Sequence, residues 1–394
     1  MKNSWLLPEG VDEILPPRAG QLEDLCRRII DLYKSYGYQL VIPPMIEFLE
    51  SLLTGTGEDL ELQTFKLTDQ LSGRMLGIRA DTTPQVARID AHKLKRIVPS
   101  RLCYLGTVLH TRPEMSGGSR APLQVGAELY GHHGKESDAE ILGLLVETLE
   151  IAGIKNVHID LGHVGIYQGL VNQARLNRNQ EEELFSVLQR KAASELQRLS
   201  RKWSLPAKIA GMLEFLMVAN GDSSILNKAR KKFEPANAMV KNSLQELQAV
   251  FRLVKNRNPE ALLHFDLAEL RGYHYHTGIV FTAYVPGNGQ GIAFGGRYDD
   301  IGRAFGRSRP ATGFSTDIKL LLDLGTLPVS KPNGIYAPEK TDPALLQQIK
   351  KLRQRGEIVI CRLPGQKGNA KDMGCDRKLE KKNGKWTIVK IKNK

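Results

Sequence analysis

Between Gly165 and Asn256 the sequence keeps one helical texture. Leu, Gln, Lys and Glu dominate, and Leu184, Val187 and Leu188, then Leu244, Leu247, Val250 and Phe251, recur at three- and four-residue steps. On both sides of this block the pattern shortens to strand-like runs: 101–109, 123–130 and 157–162 before it, 263–266, 274–284 and 291–294 after it. Strand runs broken by a helical block, with no βαβ rhythm, point to the α+β class, an antiparallel sheet flanked by helices. The block itself reads as a helical insertion over about 165–256.

The flanking elements fit this frame. A helix is expected over 20–36, where Leu22, Leu25, Cys26, Ile29, Leu32 and Tyr33 share a face, with Gly37 closing it. The apolar run 38–42 stops at Pro43-Pro44. A hairpin is expected from 64–68 and 74–79 around Ser72-Gly73, followed by a helix with Thr83 as N-cap and Pro84 at its first position. The loop 115–119 has the composition of a mobile segment, and a helix over 316–324 closes a large domain spanning residues 1–325. Residues 331–394 read as a small α/β C-terminal domain: a strand over 334–337, a helix from Asp342-Pro343 to 355, a strand over 357–363, and a hairpin turning at Asn383-Gly384.

Charge divides along the same line. The 394-residue chain carries 56 Lys+Arg against 43 Asp+Glu, yet residues 331–394 alone hold 17 against 6, so the large domain is nearly neutral. A basic tail suits an acidic partner or a solvated face. With Tyr336 and Trp386 as its only aromatics, it is poorly equipped to stack on bases, and nucleic acid is not the expected partner. Cys26, Cys103, Cys361 and Cys375 form no C-x-x-C pair, which suits reduced thiols in the cytoplasm. No signal-peptide pattern and no apolar run long enough to span a membrane is present.

Several chemical motifs can be set aside. The segment 286–291 is glycine-rich, but Ile292 stands where a dinucleotide fingerprint needs its third glycine, and strands rather than a helix flank it. His274 and His276 would share a strand face, with no third metal ligand at useful spacing. No P-loop, G-x-S-x-G or H-E-x-x-H occurs, so neither a metal nor a cofactor is expected. More telling are polar residues at two-residue spacing. Asp81 and Thr83 would share one face of an extended segment, and Gln124, Gly126 and Glu128 one face of a strand. A carboxylate, a hydroxyl and an amide oxygen together hold an ammonium group. Arg271 offers the planar fork that suits a carboxylate, and Glu128 an acceptor for an imidazole N–H. Gly126 leaves room across the strand. The set suits a zwitterionic small molecule.

At these residues the chain resembles the class II aminoacyl-tRNA synthetases, histidyl-tRNA synthetase above all, over residues 5–325. Tyr36-Gly37-Tyr38 through Pro43 and Glu47 is similar to the dimer-forming first motif, and Arg79-Ala80-Asp81-Thr82-Thr83 to the segment that grips the amino group of histidine. Gln124-Val125-Gly126-Ala127-Glu128 resembles the second-motif strand. Arg271-Gly272-Tyr273-His274-Tyr275-His276-Thr277-Gly278 resembles a histidine-specific motif, followed by Gly295-Gly296-Arg297-Tyr298-Asp299. The resemblance implies that Asp81, Thr83 and Gln124 hold the α-amino group, Arg271 the carboxylate and Glu128 the imidazole. His276 stands on the imidazole side, where the synthetases usually carry a tyrosine. The ATP-binding positions depart from the pattern. His110, Arg112 and Leu320 stand where the synthetase has its α-phosphate arginine, its adenine glutamate and its third-motif arginine. Losing one such donor typically costs about 10²–10³ in rate.

A chain that keeps the histidine-binding residues and replaces the ATP-binding ones resembles the regulatory subunits of ATP phosphoribosyltransferase, a family paralogous to the synthetase. That resemblance implies a non-catalytic chain in histidine biosynthesis. It implies a self-dimer joined to short-form catalytic subunits in a hetero-octamer, with histidine as the inhibiting effector. A divergent histidyl-tRNA synthetase is the alternative, and an RNA-binding synthetase-like protein the third.

Overall fold

The structure is a computed structural model that describes residues 5–55, 58–113, 118–273, 275–327 and 333–391. Contacts divide the chain into two units, Met1–Leu327 and Pro328–Lys394.

In the first unit nine strands among the described residues form one sheet. Their spatial order is Gln39–Leu40, Ser100–Thr107, Leu123–Tyr130, Ala311–Asp317, Ala293–Arg297, Ile279–Tyr284, His158–His163, Leu262–Asp266 and Asn220–Gly221. From Ser100–Thr107 through to His158–His163 every neighbour is antiparallel. The expected antiparallel sheet is corrected at both margins, where Gln39–Leu40 and Leu262–Asp266 add parallel pairs.

One face of this sheet is the main core. Val125, Ala127 and Leu129 alternate inward from the Leu123–Tyr130 strand and meet Phe281, Phe314 and the helices Arg18–Ser35, Lys135–Ile151 and Ala238–Arg257. Helix Arg18–Ser35 buries Leu22, Leu25, Ile29 and Tyr33, the predicted stripe. It ends as Gly37 implies: Gly37 N–H reaches Lys34 O at 2.9 Å and Tyr38 N–H reaches Tyr33 O at 3.0 Å, with Gly37 at φ +82°. The block Val164–Arg257 is six helices, interrupted by the two-residue strand Asn220–Gly221.

Three local expectations need correction. The helix Thr83–Arg88 has Thr82 as its N-cap, and Thr83 is already helical, so Asp81 and Thr83 do not lie on an extended face. The cause is Asp81, whose Oδ1 accepts Thr83 N–H at 3.2 Å and turns the chain there. The ladder expected over 274–284 starts only at Ile279. Tyr275 N–H and His276 N–H both close onto Gly272 O, at 2.8 and 2.9 Å, around a left-handed Gly272. Residues 316–317, expected to be helical, finish the strand Ala311–Asp317, and the helix is Ile318–Leu324.

A second, three-stranded sheet orders Ile46–Phe48, Met75–Ile78 and Phe65–Thr68. Register places Ile46, Phe48, Phe65, Leu67, Leu76 and Ile78 on one face. None of these six belongs to a hydrophobic cluster of the described residues.

The second unit orders its strands Val359–Cys361, Gly334–Ala337, Cys375–Lys382 and Lys385–Lys390. Helix Pro343–Gln354 packs Leu345, Ile349 and Leu352 on Ile335, Leu379 and Trp386. Asn383 and Gly384 turn the last hairpin with φ of +47° and +77°, as the Asn-Gly pair predicts. Among the described residues no helix is long and apolar enough to cross a membrane.

Candidate functional site

The face of the large sheet opposite the main core is floored by small residues. Register aligns Glu128, Gly313 and Gly296 across three strands, with Gly126 beside Ser315 and Gln124 beside Asp317 in the same pleat rows. The openings this creates are filled by polar and aromatic side chains. A Cβ on Gly126 would lie 2.4 Å from the Tyr104 hydroxyl. One on Gly313 would lie 1.8 Å from Glu128 Oε2 and 2.3 Å from the Tyr298 hydroxyl, and one on Gly296 would lie 2.8 Å from His276 Nδ1. Any side chain at these positions would displace the groups that face the site.

A cleft of about 1000 Å³ opens over this floor, and Asp81, Gln124 and Arg271 line it. Gln124 bridges strand and turn: its Nε2 donates to Asp81 Oδ1 at 2.8 Å, and its Oε1 accepts Thr82 N–H at 3.0 Å. An acidic group and an amide are thus fixed together before any ligand arrives. Arg271 is exposed, and its guanidinium lies over the Phe294 ring at 4.6 Å.

Thr83 and Glu128 are buried and do not line the cleft surface. The Thr83 hydroxyl meets the Tyr104 hydroxyl at 3.1 Å. Glu128 is 1% exposed, and its Oε2 has no hydrogen-bond partner among the described residues. Burial holds its carboxyl well above the usual carboxylate range, and nearby Asp81 adds to the rise, while hydrogen bonding from Thr83 and Tyr104 opposes it. The hydroxyls of Tyr130, Tyr275 and Tyr298 are also buried without a partner among the described residues. Tyr275 senses both Asp81 and Glu128, and burial raises its phenol well above its ordinary value. Among the described residues, one carboxyl oxygen and three phenol hydroxyls are thus buried without a hydrogen-bond partner, an arrangement that folded chains seldom leave unexplained.

His276 lies against the rings of Tyr275 and Tyr298, at 5.6 and 6.1 Å, and its Nδ1 is 3.3 Å from Arg297 O. It is not among the residues lining the cleft. Burial lowers its imidazole to about 4, so the ring is neutral near pH 7 and donates from Nδ1 to that carbonyl. His274 lies outside the described residues, and so does most of the loop 115–119. The described residues contain no cluster of three metal-ligating side chains.

Two of the three positions at which the resemblance places ATP contacts reach the cleft. His110 lines it, buried, with Nε2 2.9 Å from Ala80 O and Nδ1 unpartnered among the described residues. Leu320 lines it too, while Arg112 is exposed and lies elsewhere. Lys319 pairs with Asp12 at 3.1 Å, and Arg18 pairs with Asp323. Among the described residues Arg271 is the one cleft arginine or lysine whose charged group has no carboxylate within 4 Å, although its backbone N–H donates to Glu269 Oε1 at 2.8 Å.

Spacing alone does not mark Tyr104, Tyr275, Tyr298, Gly296 and Gly313 as a site. Their signal is the alternation of small residues, Ala311, Gly313, Ser315 and Asp317, along one strand. It is easily mistaken for a loop and a helix start.

Comparison with known proteins gives the same division. The family model described as histidyl-tRNA synthetase matches residues 10–321, and that described as the ATP phosphoribosyltransferase subunit HisZ C-terminal domain matches residues 332–389. The chain is 56% identical over 391 residues to an ATP phosphoribosyltransferase regulatory subunit of Thioalkalivibrio sulfidiphilus, covering 99% of each chain. It is 52% identical over 386 residues to one of Pseudomonas fluorescens, covering 98% of this chain and 97% of the relative. Among solved structures, one described as an ATP phosphoribosyltransferase regulatory subunit/histidyl-tRNA synthetase from Bacillus halodurans superposes with a TM-score of 0.83 at 25% identity, covering 95% of this chain and 96% of that one. A histidyl-tRNA synthetase from Nostoc sp. PCC 7120 gives 0.80 at 20% identity, covering 99% and 97%, a likeness of fold alone. The large unit thus has the class II synthetase-like fold.

Proposed function

This chain belongs to the family of ATP phosphoribosyltransferase regulatory subunits, and from that premise we propose that its cleft binds free histidine as the signal it relays to the catalytic chain. The observation that carries the reading is the buried Glu128 carboxyl, one oxygen of which is unpartnered among the described residues. An imidazole offers the N–H that an unpartnered buried carboxyl lacks, and its second nitrogen meets a phenol. The rest of the amino acid fits the cleft floor. The Asp81–Gln124 pair receives the α-amino group with the help of Thr83, and Arg271, steadied on Phe294, takes the carboxylate. His276 braces the phenol side from behind Tyr275 and Tyr298.

Histidine alters catalysis only by binding two states of the assembly unequally, and couplings of this kind are typically about 1–3 kcal/mol. In this reading the chain is a cytoplasmic, non-catalytic member of a hetero-octamer with short-form catalytic chains. Its self-dimer uses the six-residue apolar face of the three-stranded sheet, which no cluster of the described residues covers. The paired cations of the cleft and the Leu320 position disfavour a synthetase.

The test is titration calorimetry of histidine into wild type and Glu128→Ala, with the assembled enzyme assayed beside it. Histidine should bind the wild type and bind Glu128→Ala at least about 10-fold more weakly, the scale of one charge-assisted hydrogen bond. Feedback inhibition should weaken in step, while assembly and activation persist. Unchanged inhibition in the variant removes Glu128 from the site.

A further inference from the structure

Arg271 sits on a turn between two strands: Leu262–Asp266 ends before it, and Ile279–Tyr284 starts after it. The turn closes on itself. Tyr273 N–H donates to Leu270 O at 2.9 Å, Tyr275 and His276 N–H both donate to Gly272 O, and Arg271 N–H donates to Glu269 Oε1 at 2.8 Å. These bonds fix the shape of the turn. They do not fasten it to the body of the protein.

The side chain of Tyr273 does that. It is buried, does not line the cleft, and packs into the helical insertion. Its ring meets that of Tyr167 edge-on at 4.9 Å and that of Phe185 at 5.6 Å, and its hydroxyl donates to Glu181 Oε1. Tyr167, on helix Val164–Ala174, donates from its own hydroxyl to Glu181 O at 2.8 Å. Glu181 lies in the first turn of helix Arg178–Gln189, whose start is fixed by a capping box between Asn177 and Gln180. Two backbone bonds brace the same loop on the insertion: Leu267 N–H donates to Ala219 O, and Val164 N–H to Gly278 O, each at 3.0 Å. No residue of 164–257 lines the cleft, yet these residues hold the turn that presents Arg271 to it.

Arg271 needs a fixed base. Its exposed guanidinium rests on the Phe294 ring and has no carboxylate within 4 Å among the described residues. A long side chain loses rotamer freedom when it grips a ligand, and an ordered backbone beneath it lowers that cost. The phenol–carboxylate bond at Tyr273 is charge-assisted, the stronger kind of hydrogen bond.

We propose that Tyr273 and Glu181 are positioning residues for carboxylate recognition: they clamp the Arg271 turn to the helical insertion and so set the preference of the cleft for a ligand that carries a carboxylate. The inference rests on the reading that Arg271 receives the carboxylate of histidine. It gives the insertion a task in selecting the effector, although the insertion offers the ligand no group of its own.

The experiment is titration calorimetry on the full-length chain with histidine and with L-histidinol, in which a hydroxymethyl group replaces the carboxylate. The ratio of the two affinities isolates the carboxylate contact, whereas a general loosening of the fold lowers both affinities and leaves the ratio alone. Wild type should prefer histidine at least about 10-fold, the scale of one charge-assisted hydrogen bond. Tyr273→Phe keeps the ring and removes the hydroxyl, and it and Glu181→Ala should each lower that ratio at least about 3-fold, a part of the same bond. Glu181→Gln keeps an oxygen for the phenol and should hold the ratio within about 2-fold of wild type. In an Arg271→Ala chain, adding Tyr273→Phe should leave the ratio where it is, because the two residues act as one. An unchanged ratio in either Tyr273→Phe or Glu181→Ala, or a further fall in the Arg271→Ala background, overturns the assignment. A wild type that binds histidine without preferring it to histidinol removes Arg271 from the carboxylate. One that binds neither removes histidine from the cleft, and the inference falls in both cases.

Discussion

Glu128 combines two properties that rarely coexist in a stable protein: it is 1% exposed, and one of its oxygens is unpartnered among the described residues. Its carboxyl titrates above the ordinary value in the folded chain, so the native state holds that proton to higher pH than the unfolded chain does. The contribution to stability is complete below the unfolded value near 4.5 and disappears as pH rises through the folded one. Glu128→Gln keeps the shape and cannot ionise. In thermal melts without ligand it should match wild type near pH 4 and melt higher near pH 8, by about 2–4 °C for each kcal/mol relieved. Histidine should then stabilise wild type and leave Glu128→Gln almost unmoved. A wild type whose pH dependence equals that of the variant would show that Glu128 is paired already. Much of this residue-scale chemistry is legible in the sequence, because alternation along a strand puts Gln124 and Glu128 on one face whatever surrounds them. The phenols are not legible. Tyr104, Tyr275 and Tyr298 come from separate segments, and only the folded chain brings their hydroxyls near one carboxyl.

At the scale of elements, the site depends on what the strands lack. Gly126, Gly296 and Gly313 lie on the same side of adjacent strands, and Glu128, Tyr104, Tyr298 and His276 occupy the space a methyl would need. Gly313→Ala should therefore destabilise the chain by about 1–3 kcal/mol in urea unfolding and abolish measurable histidine binding. Gly289→Ala is the matched control from the glycine-rich loop. Nothing lies within 4 Å of its added carbon, and neither stability nor binding should change by more than a few tenths of a kcal/mol. A harmless Gly313→Ala would mean that Glu128 and Tyr298 leave that space free. The same glycines explain where pattern alone misleads. Strand Leu123–Tyr130 is legible to the residue because its inward face is Val125, Ala127 and Leu129 beneath a polar one. Strand Ala311–Asp317 resembles a helix start at its end, since the face it turns to the cleft is Ala, Gly, Ser and Asp. A strand serving a ligand rather than a core loses the large apolar side chains that advertise it.

At the scale of the whole molecule, each of the two units closes its own hydrophobic cluster, and they differ sharply in charge. Asp342 organises the second unit. Its Oδ1 accepts Ala344 N–H at the helix start, while its Oδ2 accepts from Trp386 Nε1 and Lys381 Nζ, each at 2.9 Å. Hydrogen bonding from Lys381, then from Trp386 and Ala344, lowers its carboxyl to about 2. A depressed carboxyl stabilises the fold above its unfolded value near 3.8, and that stabilisation is lost as pH falls towards 2. Asp342→Ala should make the Trp386 environment melt earlier and remove this acid-dependent step, with histidine affinity unchanged because the cleft is built from the first unit. A parallel loss of histidine binding would show that the units are energetically one body.

The depth of Glu128 also sets a time scale. A ligand seated against a carboxyl with almost no access to water leaves only when the surrounding chain moves, so its exchange is slow beside the encounter rate in solution. A regulator built this way does not follow every fluctuation in metabolite level. In the proposed reading it responds to the histidine concentration averaged over its own dwell time, and a catalytic chain joined to it inherits that smoothing.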